Sequence, residues 1–144
     1  MALLKDHEEV WMTGEELFRR PDLNPCELVD GRVVPTMPTS AEHGDIELEL
    51  GMRLRAYGRE SKRGRALGGE VGIYIRRNPD TVRAADILFI SQERRARCTS
   101  QSYLDVAPEL VVEVLSPDDR WTDVTEKLED YFSVGVDRVW VLVP

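Results

Sequence analysis

Short apolar runs in the second half of the chain predict the strands of a β-sheet. Residues 67–76 alternate apolar and polar side chains, as a half-buried strand does. Residues 81–90 follow an Asn-Pro-Asp turn and end in four consecutive apolar residues, which predicts a second, central strand. The apolar runs at residues 110–115 and 137–143 predict two further strands of the same sheet.

Apolar residues recur at helical spacing in other segments. Residues 13–18 begin with a capping threonine and acidic residues, which predicts a short helix. Residues 41–60 follow Ser40, a good N-cap, and predict a long helix. Another helix is predicted after Asp119 and ends before Gly135. Residues 25–34 form two apolar-rich runs around an Asp-Gly turn, which predicts a β-hairpin.

The order of these elements is α-β-β-α-β-β-β-α-β. The final strand, helix and strand predict a parallel crossover, whereas the two middle strands predict an antiparallel hairpin. The fold class is therefore α/β (α+β): a mixed central β-sheet flanked by helices, with an N-terminal β-hairpin. A length of 144 residues fits one domain with a single core, so we expect one domain over residues 1–144.

Composition excludes several other classes of protein. Hydrophobic residues make up 42% of the chain and charged residues 32%, as in a water-soluble globular protein. No apolar run approaches the roughly 20 residues that span a bilayer. Residues 1–6 lack the features of a secretory signal. Cys26 and Cys98 lack the spacing of a zinc site and predict reduced thiols in a cytoplasmic protein.

The net charge of −8 argues against a nucleic-acid partner, but the charges are unevenly distributed. Residues 51–100 hold twelve basic and five acidic residues, so this stretch carries +7 and the remainder −15. The asymmetry permits a phosphate-facing surface on an acidic body, although exposed arginines without a ligand produce the same pattern. We take Arg76, Arg77 and Arg83 as the candidate nucleic-acid contacts.

Two predicted core strands each carry one acid within an apolar run, Asp86 and Glu113. A third acid, Glu70, lies on the strand paired with that of Asp86. Carboxylates brought together repel unless they are protonated or bridged by a cation, and oxygen ligands suit Mg²⁺ or Mn²⁺. Lys127, on the helix after the Glu113 strand, could stabilise charge that develops on a phosphate. The alternative is an exposed Glu113 and a Lys127 paired with Asp123 at i−4.

A series of linked motifs gives these residues a family context. They are CELVDG at 26–31, EHG at 42–44, GEVG at 69–72, ADI at 85–87, PELVVEVLSP at 108–117, EK at 126–127 with Tyr131, and GVDRVW at 135–140. In this order, almost to the C-terminus, the sequence resembles the Uma-type restriction endonucleases, a bacterial family of the PD-(D/E)XK nuclease superfamily.

The resemblance implies a restriction-endonuclease-like fold in a single nuclease-like domain over residues 1–144. It also implies a Mg²⁺- or Mn²⁺-dependent endonuclease that hydrolyses DNA. It implies that Asp86 and Glu113 bind the metal and act in catalysis with Lys127. Accessory site residues would be Glu70, Glu42 and His43. A homodimer is expected, because the terminal strand needs cover and two sites suit duplex cleavage.

The sequence departs from the superfamily pattern at three points. Ala85 replaces the proline before the first acid, and Leu115 stands where the superfamily has its lysine. Lys127 is then the candidate for a lysine that has moved to the next helix. The chain ends at Pro144, and we expect it to be short relative to the family. These departures leave a second hypothesis open, a catalytically inactive nuclease-fold module that binds nucleic acid or protein.

Overall fold

The structure, a computed structural model, describes residues 11–144. The prediction about a secretory signal falls on residues 1–6 and lies outside the described residues. The helices are α1 (Gly14–Phe18), α2 (Ala41–Ser61), α3 (Gln92–Ala96) and α4 (Trp121–Ser133). The strands are β1 (Cys26–Val29), β2 (Arg32–Pro35), β3 (Gly64–Arg76), β4 (Thr81–Ser91), β5 (Leu110–Val114) and β6 (Arg138–Leu142).

The six strands form one mixed sheet around β4. The order along the main path is β2-β1-β4-β5-β6, and β3 pairs with β4. The β3–β4 pair is antiparallel, and β5 and β6 are parallel across α4. The predicted fold class, with its N-terminal hairpin, is thereby confirmed. Within residues 11–144, no helix combines the length and the apolarity of a membrane span.

The helix ends follow the sequence signals. Thr13 and Glu16 form a reciprocal capping box at the start of α1. Ser40 accepts a hydrogen bond from the backbone N–H of His43 and so caps α2. Gly135, with φ +100°, follows the end of α4 and takes the left-handed conformation that a glycine adopts without strain.

Two segments differ from the sequence-based prediction. Strand β3 begins at Gly64, three residues before the predicted start at residue 67, because its first residues pair with the end of β4. A bulge between Gly68 and Val71 then interrupts the alternation on which the strand was predicted. The connection after β4 contains a short helix that was not predicted, α3, which is capped by Ser91.

The core is divided between two clusters of buried side chains. The larger cluster consists of Ile73, Ala85, Leu88, Ile90, Val111, Tyr131 and Val136. The smaller one lies under α1 and consists of Leu17, Cys26, Leu28, Tyr74 and Val82. Strands β3 and β4 contribute side chains to both clusters and so connect them.

One edge of β4 is shared by two partner strands that do not meet. Strand β1 pairs with β4 through Leu28 and Val82, whereas the β5 register begins at Ile87 and Val112. Between these two pairings the strands diverge and leave a fork in the sheet. Ala84 and Asp86 lie in this fork, and it positions the candidate functional site.

Two glycines of α2 give a matched test of how this helix packs. A Cβ at Gly58 would collide with the backbone carbonyl of Gly64, whereas a Cβ at Gly51 would meet nothing within 4 Å. We expect Gly51→Ala to raise the free energy of unfolding by up to about 1 kcal/mol through helix propensity. We expect Gly58→Ala to lower it by about 1–3 kcal/mol, as overpacking does. Urea unfolding of both variants checks this, and equal effects would contradict the close packing of α2 on β3.

Candidate active site

Side chains, rather than a neighbouring strand, satisfy the backbone groups in the fork of the sheet. The Ala84 N–H donates to Glu27 Oε1 at 2.9 Å, and the Ala84 carbonyl accepts from Lys127 Nζ at 2.8 Å. The Val114 N–H donates to Asp86 Oδ2 at 2.8 Å. Because buried backbone groups need partners, the fork fixes these three charged side chains in place.

Asp86 faces two side chains of α2. His43 Nε2 lies 3.5 Å from Asp86 Oδ2, and His43 Nδ1 lies 3.5 Å from Glu47 Oε2. One potential ligand atom from each of these three residues lies within 4.8 Å of the others. Of the His, Cys, Asp and Glu side chains in residues 11–144, only these form a set of three or more close enough to share an ion.

The chemistry of this cluster fits a divalent cation. His43 is buried, and its Nδ1 atom has no hydrogen-bond partner among the described residues. Burial raises the pKa of Glu47, and the Asp86 carboxylate raises it further. A cation between the carboxylates would relieve this repulsion and use the unsatisfied nitrogen. The residues present therefore fit a metal.

The Lys127 ammonium occupies the other side of the fork. It lies 2.7 Å from Glu27 Oε1, 2.8 Å from the Ala84 carbonyl and 3.2 Å from Glu113 Oε1. Burial acts to lower the pKa of Lys127, but Glu113 and Glu27 outweigh it and raise the pKa well above its ordinary value. An ammonium has three donors, so these three acceptors engage all of them.

Glu113 is held mainly by groups from α4. Tyr131 donates its hydroxyl to Glu113 Oε1 at 2.6 Å, in addition to the contact with Lys127. Burial raises the pKa of Glu113 to about 7, although Lys127 opposes the rise, and the nearby Asp86 charge adds to it. Glu113 is thus an electrostatic neighbour of Asp86 but lies outside the three-residue cluster with His43 and Glu47.

The position of the Lys127 ammonium distinguishes between its two predicted partners, Asp123 and Glu113. The i−4 pairing with Asp123 is not the one formed, since the ammonium points into the fork toward Glu27 and Glu113. Glu113 itself is 7% exposed, so it is not the solvent-facing edge residue of the alternative interpretation. Lys127, on the helix that follows β5, therefore does contact Glu113.

Arg83 has an interior position that corrects its predicted role as a nucleic-acid contact. It is 7% exposed, and its guanidinium donates to Asp130 Oδ2 at 2.7 Å and to Glu27 Oε2 at 3.2 Å. Buried carboxylates neutralise its charge, and its burial keeps a phosphate from reaching it in this arrangement. Arg83 instead holds Glu27, which in turn holds Lys127.

The other predicted arginine contacts are also engaged within the chain. Arg76 pairs with Asp130 and Asp30, and Arg77 pairs with Glu15 and stacks on the Tyr74 ring at 4.2 Å. Both keep more than 40% of their side-chain surface exposed.

The three predicted accessory residues have different positions. His43 lies in the cluster, whereas Glu42 is exposed on the first turn of α2. Glu70 is exposed at the β3 bulge with φ +60°, and no hydrogen bond joins it to the site. The structure therefore brings together Asp86 with His43, and Glu113 with Lys127, but not Glu70 or Glu42.

Three residues of the site were not among the predicted site residues, although Tyr131 and Glu27 stand in quoted motifs. Glu47 lies one helical turn after His43, and that i, i+4 spacing was the available signal. Tyr131 stands four residues after Lys127 and shares its helix face. Glu27 lies inside a quoted motif, in an apolar run much like that around Glu113, but the hairpin was interpreted only as structure.

A family model and a solved structure both match this chain. The model of the Uma2 family, described as "Putative restriction endonuclease", matches residues 15–144. The fold is similar to a crystal structure from Anabaena variabilis described as a "putative nuclease belonging to DUF820", with a TM-score of 0.74. The two share 21% sequence identity over 92% of this chain and 74% of that chain, which shows a common fold. No curated protein matches the sequence.

Proposed function

Because the chain belongs to the Uma2 family of restriction-endonuclease-like proteins, we propose that it is a divalent-metal-dependent endonuclease that hydrolyses DNA phosphodiester bonds. The observation that carries this proposal is the fork in the sheet. It places the His43–Glu47–Asp86 cluster next to the Lys127–Glu113 pair. A nuclease site needs acidic ligands and a fixed positive charge in one place, and the fork supplies both.

In this proposal Asp86, His43 and Glu47 hold the metal. A divalent ion there would act as a Lewis acid toward a phosphoryl oxygen and lower the pKa of a bound water. Asp86 keeps its orientation through the bond from the Val114 N–H, so it remains aimed at His43 without rearrangement. This ligand set replaces the predicted pair of Asp86 and Glu113.

Lys127 acts in this site chiefly as a fixed positive charge. Its three donors are already engaged, so a direct hydrogen bond to phosphate requires that one contact be given up. The contact with Glu113, at 3.2–3.3 Å, is the longest of the three and the easiest to release. Glu113 then carries two roles, to position the ammonium and to bear negative charge beside Asp86.

Of the two predicted ions, the ligand chemistry favours Mn²⁺ over Mg²⁺. Mg²⁺ prefers oxygen ligands only, whereas imidazole nitrogen binds transition-metal ions better. We expect Glu47→Gln to weaken Mn²⁺ binding by about tenfold or more in calorimetric titration. Glu42→Gln, on the exposed first turn of the same helix, is the matched control and should bind as the wild type does.

The same titration separates the two candidate ligand sets. Glu113→Gln should retain Mn²⁺ binding if His43, Glu47 and Asp86 are the ligands. Loss of binding in Glu113→Gln with retention in Glu47→Gln would restore the Asp86–Glu113 pair instead. Absence of Mn²⁺ and Mg²⁺ binding by the wild type would contradict the metal site.

Cleavage of supercoiled plasmid with Mg²⁺ or Mn²⁺ tests the activity. We expect Asp86→Asn to lose at least about a thousandfold in rate, because Lewis-acid stabilisation contributes several kcal/mol. The asparagine oxygen can still accept from the Val114 N–H, so the fork should persist. Asp123→Asn, at an exposed position of α4, is the matched control. Equal cleavage by both variants would remove Asp86 from the mechanism.

The catalytically inactive module remains the second candidate. The mutual neutralisation of Lys127 and Glu113 is also what a purely structural ion pair would show. No cleavage by the wild type under any metal, together with intact DNA binding, would favour this module. The predicted homodimer and cytoplasmic location also stay predictions, and light scattering during size-exclusion chromatography tests the dimer.

A further inference from the structure

We infer that the groove between α2 and β3 is the track along which the DNA backbone leaves the metal cluster, with Arg59 and Arg55 as its phosphate contacts. This inference rests on the proposed function, since it assigns a path to the proposed substrate. It replaces the surface around Arg76 and Arg77 as the expected contact face.

The groove is continuous with the candidate metal cluster. It encloses about 820 Å³ and is lined on one side by α2 and on the other by the glycine-rich part of β3. Glu47, a member of the cluster, lines it, and so does Ile87, which directly follows Asp86. A strand whose phosphate sits at the cluster therefore extends into this groove without crossing a barrier.

The groove-lining face of α2 has a regular chemical order. Glu47, Gly51, Arg55 and Arg59 stand four residues apart, and all of them line the groove. At 1.5 Å per residue, Arg55 lies about 12 Å and Arg59 about 18 Å along the helix from Glu47. These distances correspond to roughly three to five nucleotides of a B-form strand at 3.4 Å each. The face thus changes from metal-binding acid to phosphate-binding cations over the length of a short segment of backbone.

The two arginines differ in how free their charges are. Arg55 donates to the Ala66 carbonyl at 2.8 Å, a contact that leaves its positive charge uncompensated. None of residues 11–144 forms a hydrogen bond or an ion pair with the Arg59 guanidinium. Arg76 and Arg77, by contrast, are both neutralised by carboxylates of the chain. The groove therefore holds arginine charges that no carboxylate of residues 11–144 neutralises and that a phosphate could contact.

The shape of the groove suits close approach of a backbone. Gly51 has open space where a side chain would stand, and so does Gly69 on the opposite lip, with φ +86°. Leu48 and Met52 line the groove and are 67% and 59% exposed. An exposed apolar pair of this kind offers contact surface to deoxyribose, which carries no 2′-hydroxyl.

The decisive measurement is DNA affinity as a function of salt, made with the full chain carrying Asp86→Asn so that no cleavage occurs. Fluorescence polarisation of a labelled duplex with Mn²⁺ gives the dissociation constant at each salt concentration. We expect Arg59→Ala to reduce the slope of log K against log salt by about 0.9, the value for one phosphate contact. Arg53→Ala is the matched control on the same helix, since Arg53 pairs with Glu49 and does not line the groove.

Two further variants test the groove in ways that a folding defect cannot imitate. Gly51→Glu adds a carboxylate beside Arg55 in open space, so we expect weaker DNA binding with an unchanged or higher Tm. Met52→Lys adds a cation to the lining, so we expect tighter binding and a slope steeper by about 0.9.

The outcomes separate this track from the proposed function. If the starting protein binds DNA but Arg59→Ala and Arg53→Ala behave alike, the track is wrong and the nuclease proposal stands. A loss confined to Arg77→Ala would move the DNA backbone to the surface around Arg77 and overturn the track in the same way. If the wild type neither binds nor cleaves DNA, the proposed function fails and the track fails with it.

Discussion

Lys127→Met is expected to lower the free energy of unfolding by about 3 kcal/mol at pH 8, measured with a chelator present. The substitution keeps most of the side-chain volume but removes the charge that two buried carboxylates share. Glu27 is 8% and Glu113 7% exposed, and the ammonium lies within 3.3 Å of both. The lysine side chain keeps 21% of its surface exposed, so we expect the lower end of the range for a broken buried pair.

The loss should depend on pH in a direction that follows from the two acids. Burial opposes ionisation of Glu27, but Lys127 and Arg83 hold its pKa below 4.5 in the folded wild type. Without the ammonium the folded-state pKa of both acids rises, while the unfolded chain still ionises near 4.5. When the pKa of an acid is higher in the folded state than in the unfolded state, the free energy of unfolding falls as pH rises above the unfolded-state pKa. The variant should therefore be close to the wild type at pH 4 and deficient at pH 8.

Urea unfolding at both pH values measures this effect. Lys62→Met replaces an exposed lysine and should change the free energy of unfolding by less than about 0.5 kcal/mol. The double variant Glu27→Gln with Lys127→Met should regain part of the loss at pH 8, because one unpaired charge is gone. A deficit of equal size at pH 4 and pH 8 would mean that packing, not charge, is the contribution of Lys127.

The sequence contained enough information to predict the sheet and three charged residues in the fork of the sheet. The apolar runs predict β4 and β5 correctly, and an acid inside each run identified Asp86 and Glu113. Tyr131 follows Lys127 by four residues, a spacing that gives both the same helix face, and both in fact meet Glu113. Such predictions succeed because strand and helix periodicities decide locally which side chains point together.

The remaining site residues depend on contacts far apart in the chain. Glu27 and Lys127 approach each other across the sheet, and nothing within the hairpin distinguishes Glu27 from a structural acid. Glu47 is one of several acids on α2, and only the packing of that helix over the fork selects it. The divergence of β1 and β5 from β4 creates the site, and no local pattern encodes a divergence between strands.

Arg83 was also mispredicted because its partners lie far away in the chain. A single arginine in a run of β4 residues is consistent with either a surface contact or a buried one. Its partner Asp130 lies 47 residues later, on α4, and its second partner Glu27 lies 56 residues earlier. Only the docking of α4 against the sheet makes the arginine part of the interior.

Arg83→Met is expected to lower the free energy of unfolding by about 3–5 kcal/mol, the largest change of those considered. Asp130 is 6% and Glu27 8% exposed, so the substitution removes a cation from each of two buried carboxylates. Arg76 still contacts Asp130 Oδ1 at 2.8 Å, and Lys127 still contacts Glu27 Oε1 at 2.7 Å, so each carboxylate keeps one cation. Because Glu27 also positions the Lys127 ammonium, the variant should lose plasmid-cleavage activity under conditions in which it remains folded.

Arg76→Met is the matched control for this prediction, because Arg76 bonds the same carboxylate from the neighbouring strand. Its side chain is 41% exposed, and solvent screens its pairing with Asp130, so we expect a loss of no more than about 1 kcal/mol. The double variant Arg83→Met with Asp130→Asn should recover part of the stability, since one of the two stranded charges is then neutral. Chemical denaturation of the four proteins gives all these values in one series. Equal losses for Arg83→Met and Arg76→Met would show that burial of the Arg83 pair adds nothing, and the interior role assigned to Arg83 would then be wrong.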